Sequence, residues 1–407
     1  MVQRGMIDDP VTALLPPSPP LAVEPLLDAI REQADEADRT RNLDASVVAA
    51  LKANDVVVAA ASVELGGPGA TVLQIGRELE AVAGACTSTA WVLWNHLAVF
   101  HLFVGCLGPD HQRLLRGVVE AGETVCFPAG ASSGVRGVIE GDQVRLSGKG
   151  AFGSGGRYAD WAGVAFVVLD DHGDRVEPLD LRFTIVPVTG DGVRIEATWD
   201  GSAVRASATD DVHYDDVVAP LARCVPWYGA NRAETLREVP VVAPRYREDW
   251  VGLSDVWLAW MGVGLVGSAL RQAIAETTGR RSILGKRMVT HPTVQLNLGE
   301  AAALLAAAAA TAETACRQVD ERITAAAVPT EADYLGQMAL ASAALAQLDQ
   351  AMQLIRRALG GNGLREGGFF DRYSRDFQAM PLHINAHRDR VNLRLGRFAL
   401  GEEQDPF

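Results

Sequence analysis

The sequence has few cysteines, no basic run and none of the common metal or nucleotide motifs. Its five cysteines never stand in C-x-x-C spacing, which argues against a zinc site or a disulfide framework and favours reduced thiols in a cytoplasm. The formal net charge is −14, without a Lys/Arg-rich run. Nucleic acid and anionic membrane surfaces both require a cationic surface, so neither is an expected partner. No H-E-x-x-H or P-loop pattern is present.

The chain also lacks an apolar N-terminal run and a long aliphatic block. Its first residues combine Asp8, Asp9 and several prolines where a secretory signal would be apolar. The longest aliphatic block, residues 301–310, is short of the roughly 18 residues that a membrane span needs. These absences predict a cytoplasmic protein without a membrane anchor.

What is present changes character along the chain. Residues 1–20 are rich in proline and are expected to form a disordered arm. Apolar positions recur at helical spacing over residues 21–122, which predicts an N-terminal helical domain. Residues 123–220 alternate in short runs between glycine and aspartate clusters, a pattern typical of a β domain. After a linker at 221–249, helical periodicity returns over 250–407 and predicts an Ala-rich bundle.

Four segments in this order resemble signatures of the acyl-CoA dehydrogenase superfamily. They are VRLSGKGAFGSGGRYADW at 144–161, WDGSAVRASATDDVHYDDVVAP at 199–220, RSILG and HPTVQ within 281–295, and RYSRD at 372–376. The resemblance covers about residues 21–400, although Ala206-Ser207-Ala208 departs from the usual polar pattern. It implies an α+β, mostly α fold, with an N-terminal helical domain, a central β-barrel or sandwich domain and a C-terminal four-helix bundle.

The catalytic position of this superfamily separates two chemistries. Acyl-CoA dehydrogenases use a glutamate as base, and alignment on Arg375 and Asp376 puts Ile384 at that place, with His383 one residue earlier. The other place for such a glutamate, on the first bundle helix, falls at residues 256–260, where no acid occurs. His383 and the F-x-S-G sequence at 152–155 are instead similar to the two-component (group D) flavin-dependent monooxygenases. That branch includes aromatic hydroxylases, dibenzothiophene monooxygenase and amino-sugar N-oxygenases.

This resemblance implies an enzyme that uses O2 and reduced FAD or FMN, supplied by a separate NAD(P)H:flavin reductase. Oxygen would be captured as a flavin C4a-hydroperoxide, for which Ser154 is the candidate hydrogen-bond donor. His383 is the candidate base that removes a proton from the substrate, a role suited to a group that titrates near neutrality. The implied substrate is a hydrophobic aromatic or amine-bearing small molecule, which is hydroxylated or otherwise oxygenated. A half-buried structural histidine and a plain turn serine are the alternatives for these two residues.

The segment STAWVLWNH at 88–96 resembles the helix that walls the substrate site in this branch. It implies that Trp91 and His96, with Trp94, contribute an aromatic pocket with one polar tip. The alternative is that both tryptophans are core residues at helical spacing.

The resemblance also implies a set of flavin contacts. Phe152 and Ser154 would meet the flavin ring, and Arg281 would meet its phosphate, since a guanidinium matches phosphate geometry. Gln295 and Gly361 match positions that approach a cofactor across a subunit boundary, although a helix C-cap explains the glycine equally well. This set implies a homo-oligomer, which in this family is usually a homotetramer.

The sequence leaves two alternative functions open and contains two further motifs that resemble known sites. The alternative functions are an acyl-CoA dehydrogenase-like desaturase or oxidase with a relocated base, and a non-catalytic flavin-binding scaffold. The G-x-G-x-x-G pattern at 262–267 lacks the preceding strand and the following acid of a dinucleotide site, so it is interpreted as close helix packing. The G-x-S-x-G pattern at 130–134 precedes a strand rather than a helix, which disfavours a serine hydrolase.

Overall fold

The computed structural model describes residues 9–130, 133–170, 172–227, 239–384 and 386–404, so the serine of the G-x-S-x-G pattern, Ser132, lies outside the described residues. In chain order the fold has a group of helices, a β-sheet and a second group of longer helices. The first helices are α1 (Leu27–Thr40), α2 (Ala45–Lys52), α3 (Val72–Ala85), α4 (Thr87–Leu107) and α5 (Gln112–Glu120). The strands are β1 (Val125–Cys126), β2 (Gly134–Glu140), β3 (Gln143–Gly153), β4 (Trp161–Leu169), β5 (Leu181–Pro187), β6 (Val193–Glu196), β7 (Asp210–Pro220) and β8 (Val225–Pro226). The last helices are α6 (Trp250–Gly279), α7 (Pro292–Thr324), α8 (Glu331–Leu359), α9 (Phe369–Leu382) and α10 (Arg388–Leu400).

Local sequence explains where several of these helices begin. Thr71 caps α3 by accepting the backbone N–H of Gln74 at 3.0 Å. Thr330 and Asp333 form a capping box at the start of α8, in which each side chain satisfies a backbone N–H of the other residue. These caps fix the start of one helix in each helical group.

Helices α3 and α6 pack so closely that glycine is required between them. A Cβ atom on Gly264 would lie 2.0 Å from the carbonyl oxygen of Glu80, and one on Gly76 would lie 2.4 Å from the Trp260 ring. The glycines at 262–267 therefore serve helix packing, as the sequence interpretation predicted. This contact ties the N-terminal helices to the first helix of the bundle.

The eight strands form one sheet in the order β6-β7-β3-β2-β4-β5-β8, with β1 paired to β4. β1 and β2 both run parallel to β4, and the other pairs are antiparallel. β3 is eleven residues long, and its C-terminal end leads directly into Ser154. The helices around a central sheet confirm the α+β, mostly α fold predicted from the sequence.

Two segments expected to lack regular structure are more ordered than predicted. Within the expected arm, residues 12–14 form a 3₁₀ turn, Val11 is 2% exposed, and the Asp9 carboxylate accepts the Nε–H of Arg271 at 2.7 Å. Within the expected linker, β8 joins the edge of the sheet and residues 244–247 form another 3₁₀ turn. An apolar anchor and a long-range ion pair outweigh the local effect of proline. Residues 1–8 and 228–238 lie outside the described residues.

Among the described residues, three helices are long and apolar enough to cross a membrane by length and composition. They are α4, α6 and α7. In α4 and α6 the apolar stretch is 83% and 94% buried inside the protein, so the interior accounts for it. In α7 only 28% of that stretch is buried, which leaves an alanine-rich face uncovered.

All five cysteines are buried, and none forms a disulfide. Cys316 accepts the indole N–H of Trp260 at 3.3 Å. Burial raises the pKa of the Cys126 thiol to about 12, so that thiol is protonated and unreactive at neutral pH. The thiols fill core volume, as expected from their spacing.

Candidate active site

The end of β3 turns sharply and sends two neighbouring side chains to different environments. Phe152 has a φ of 60° and is 55% exposed, whereas Ser154 is 6% exposed. Gly130 makes this turn possible, because a Cβ atom there would lie 2.5 Å from the Phe152 ring. The turn therefore gives an exposed aromatic ring at Phe152 and a buried hydroxyl group at Ser154.

Ser154 is hydrogen-bonded to side chains from two other parts of the chain. The Trp91 indole N–H, on α4, donates to Ser154 Oγ at 3.0 Å. Ser154 Oγ lies 2.9 Å from Thr209 Oγ1, which lies 2.7 Å from Ser207 Oγ. Thr209 and Ser207 belong to the loop before β7, and the sequence reading did not identify them. The alternative of a plain turn serine does not fit this buried network.

His383 lies directly after α9, where Pro381 occupies the last turn and the backbone becomes extended. Its ring centroid is 5.8 Å from that of Trp91 and 4.9 Å from that of Trp94, both edge-on. Burial against these rings lowers the pKa of His383 to about 4, so the imidazole is neutral at neutral pH. A neutral imidazole can accept a proton from a ligand. Because α9 ends at Leu382, His387 does not share a helix face with His383.

Trp91 connects the two predicted catalytic residues. Its N–H contacts Ser154, and its ring contacts His383. Trp94 is more deeply set, with its N–H donated to the carbonyl oxygen of Ser254 at 2.9 Å. The structure therefore brings Trp91, Ser154 and His383 together, and their roles in a flavin site stay predictions.

His96 does not belong to this cluster, which corrects the prediction that it forms the polar tip of the pocket. Five residues along a helix rotate it by about 140° from Trp91. There its Nε2 lies 2.6 Å from the carbonyl oxygen of Val57, and its Nδ1 accepts the N–H of Val125 at 3.1 Å. His96 is 4% exposed, and burial lowers its pKa to about 4. Both ring nitrogens are used for structure.

Arg281, Gln295 and Gly361 are exposed, and the two side chains make local hydrogen bonds. Arg281 donates to the carbonyl oxygen of Gly285 at 3.1 Å, and Gln295 donates to that of Val289 at 2.9 Å. Gly361 lies in the 3₁₀ turn after α8. The contact of Arg281 with the flavin phosphate stays a prediction, as does that of Gln295 and Gly361 with a cofactor bound by a second copy.

The R-x-x-R-D segment at 372–376 joins three parts of the fold. Arg372 and Arg375 form ion pairs at 2.9 Å with Asp35 and Asp38 of α1. Asp376 is 2% exposed and accepts the backbone N–H of Val204 at 2.7 Å, in the loop that carries Ser207 and Thr209. Burial raises the pKa of Asp376 to about 6. The segment thus holds the loop next to Ser154.

The structure also shows a buried acid that the sequence reading passed over. Asp255 lies one residue before the 256–260 region, is 1% exposed, and neither carboxylate oxygen has a hydrogen-bond partner. Burial raises its pKa well above the usual range, with Arg390 partly opposing this effect. Its neighbour Ser254 contacts Trp94, which in turn contacts His383. No pattern in the sequence distinguishes this aspartate from a solvated helix residue.

The cluster suits a planar, hydrogen-bonding ligand such as an isoalloxazine ring. Phe152 offers an exposed aromatic ring, and Ser154 offers a hydroxyl group next to it. Ring stacking and one directed hydrogen bond are the contacts that such a ligand needs.

Comparisons with known proteins relate this chain to one family and one fold. Residues 256–388 match the family model "Acyl-CoA dehydrogenase, C-terminal domain". A pigment production hydroxylase of a Rhodococcus species is 25% identical, covering 93% of this chain and 95% of its own length. The oxygenase component of an FADH2-dependent resorcinol hydroxylase of a Rhizobium species is 27% identical, covering 92% of each chain. The solved structure of XiaF from a Streptomyces species, in complex with FADH2 and glycerol, superimposes with a TM-score of 0.83 at 20% identity over 95% of each chain.

The C-terminal part of the chain thus matches the acyl-CoA dehydrogenase family, and the whole chain shares the fold of the structural neighbours. Its relatives and structural neighbours are flavin-dependent monooxygenases and hydroxylases, which confirms the branch predicted from His383 and the F-x-S-G sequence.

Proposed function

We propose that this chain is the oxygenase component of a two-component flavin-dependent monooxygenase. It takes reduced FAD or FMN from a separate NAD(P)H:flavin reductase and uses O2 to oxygenate a hydrophobic aromatic or amine-bearing small molecule. The observation that carries this proposal is the joint placement of Ser154 and His383 around Trp91. The names of the resorcinol and pigment production hydroxylases support an aromatic substrate.

Each residue of the cluster has a distinct task. When bound, reduced flavin supplies the electrons that activate O2. Ser154 donates a hydrogen bond to the cofactor, and Phe152 packs against its ring. His383, neutral at neutral pH, receives the proton of a phenol or amine as the substrate reacts, an assistance typically worth about 10²–10⁴-fold.

The surroundings of His383 also keep water out of the site. Trp91 and Trp94 cover the imidazole with aromatic surface, and Trp94 is fixed by its hydrogen bond to Ser254. Excluding water strengthens the electrostatic contacts inside a site and limits side reactions of oxidised intermediates.

A homo-oligomer, a tetramer by the usual pattern of the superfamily, would complete the cofactor site. The exposed positions of Arg281, Gln295 and Gly361 and the uncovered face of α7 support this part of the proposal. Gln295 and Gly361 from a second copy would then approach the flavin, whose phosphate Arg281 would meet.

The function is tested with purified protein, a generic NADH:flavin reductase, catalase and a panel of phenols, indoles and aromatic amines under ¹⁸O2. We expect a product heavier by one ¹⁸O atom with at least one phenol. His383→Ala is expected to lower product formation by about 10²-fold while NADH oxidation continues. A panel without labelled product, or equal labelling by a reaction without the chain, would refute the proposal.

One observation favours a second candidate, an acyl-CoA dehydrogenase-like desaturase or oxidase with a relocated base. Asp255 is a buried acid without a hydrogen-bond partner at the start of the first bundle helix. That activity would bleach oxidised flavin when acyl-CoA thioesters are added without oxygen, and Asp255→Asn would abolish the bleaching. A non-catalytic flavin-binding scaffold would instead keep its role after His383→Ala and Ser154→Ala.

A further inference from the structure

The hydroxyl groups of Ser207, Thr209 and Ser154 form a chain that begins inside the protein and ends at the candidate site. Ser207 is fully buried, and Ser154 is next to the exposed Phe152. The Trp91 indole N–H can only donate, so Ser154 Oγ must accept it. Each hydroxyl group can donate one hydrogen bond, so the donors and acceptors along this chain can be counted.

The indole N–H and the three hydroxyl groups bring four hydrogens to three hydrogen bonds, so one hydroxyl hydrogen is always left without a partner in this network. If Ser154 donated to Thr209, the hydrogen left over would be that of Ser207 or of Thr209, and no further acceptor for either is seen among the described residues. Burying an unsatisfied donor costs free energy. In the opposite direction Ser207 donates to Thr209 and Thr209 donates to Ser154. The hydrogen of Ser154 then remains for a ligand, while its oxygen accepts from both Trp91 and Thr209.

The backbone of the loop is constrained in a way that maintains this chain. Ala208, between the two hydroxyl residues, has a φ of 48°, and Val204 has a φ of 40°, both in the region that L-residues rarely adopt. The loop is fastened by the Ser207 carbonyl, which accepts the N–H of Gly155 at 2.8 Å, and by Asp376 at Val204. Strained backbone held by cross-domain hydrogen bonds is expected where side-chain placement matters.

We propose that Thr209, supported by Ser207, is a positioning residue that makes Ser154 an obligate hydrogen-bond donor toward the flavin. The acceptor is a carbonyl oxygen or ring nitrogen of the isoalloxazine. This inference rests on the proposed function, because it takes flavin as the ligand.

The test measures binding of oxidised FMN and FAD to the full-length chain by fluorescence titration. Thr209→Val removes the hydroxyl at nearly constant shape, and we expect it to weaken flavin binding about 5–10-fold. Thr209→Ser keeps the hydroxyl and is expected to stay within about twofold of wild type. In a Ser154→Ala background, Thr209→Val is expected to change nothing further, because it acts through Ser154. Thr184→Val is the matched control, the same change at a buried threonine of β5.

Each outcome decides the matter. An equal loss from Thr209→Val in both backgrounds, or no loss in either, overturns the positioning role. If the variants show the expected pattern of flavin binding but the wild-type chain forms no oxygenated product, the proposed function is refuted and the inference still stands. A wild-type chain that binds neither FMN nor FAD, whether oxidised or reduced under anaerobic conditions, overturns both.

Discussion

The low pKa of His383 makes a quantitative prediction about the pH dependence of product formation. Lowering the pH from 7.5 to 5.5 would leave an ordinary histidine, with a pKa of about 6.5, only about 10% neutral. With its pKa lowered to about 4, His383 stays about 97% neutral at pH 5.5. If the neutral imidazole is the base, product yield should therefore change by much less than twofold over this range.

The assay is a single turnover, so that the reductase does not limit the result. Excess enzyme with chemically reduced flavin and a phenol substrate from the ¹⁸O2 panel is mixed with aerated buffer at pH 5.5, 6.5 and 7.5, and product is quantified. His383→Gln should lose most product at every pH. His387→Gln, a change at a nearby histidine outside the cluster, should keep the wild-type yield and profile. A wild-type yield that falls about tenfold with a midpoint near pH 6.5 would refute the assignment of a half-buried, neutral His383 as base.

Three further predictions concern stability. For His96 the folded-state pKa of about 4 is below the unfolded value, so stability is lost as pH falls from about 6.5 toward 4, by up to about 3 kcal/mol. In urea unfolding across this range, the free energy of unfolding of His96→Gln should fall less steeply with pH than that of wild type. For Asp255 the folded-state pKa is raised, so stability is lost as pH rises above about 4, and Asp255→Asn should raise the melting temperature more at pH 7 than at pH 4. Gly264→Ala should destabilise the protein by about 3 kcal/mol or more, because its Cβ meets the Glu80 backbone. Gly336→Ala, with open space around it in α8, should stabilise it by about 0.5–1 kcal/mol in the same denaturant titration. Equal effects of the two changes would contradict the packing account.

The sequence predicts the parts of this site that lie in local motifs. Ser154 follows a strand in an F-x-S-G sequence, and His383 follows an R-D pair at a fixed distance, so both can be placed by alignment. The order of helical, β and helical segments follows from periodicity, which is a property of neighbouring residues.

What the sequence does not predict depends on contacts between distant segments. Thr209 reaches Ser154 only because the loop before β7 adopts a left-handed backbone at Ala208 and is fastened by Asp376. His96 fails as a pocket residue because resemblance to a helix does not fix which face of it meets the ligand. Asp255 shows its unusual environment only once α6 is packed.

Trp91 has a consequence for engineering this protein toward new substrates. Its indole donates to the hydroxyl of Ser154, the proposed cofactor contact, and lies against the imidazole of His383, the proposed base. Enlarging the pocket by replacing Trp91 with a smaller residue would therefore disturb oxygen chemistry and substrate fit together. We expect any gain in substrate range to be accompanied by a lower ratio of product formed to NADH consumed. Changes in specificity are better sought at pocket positions that make no hydrogen bond to Ser154.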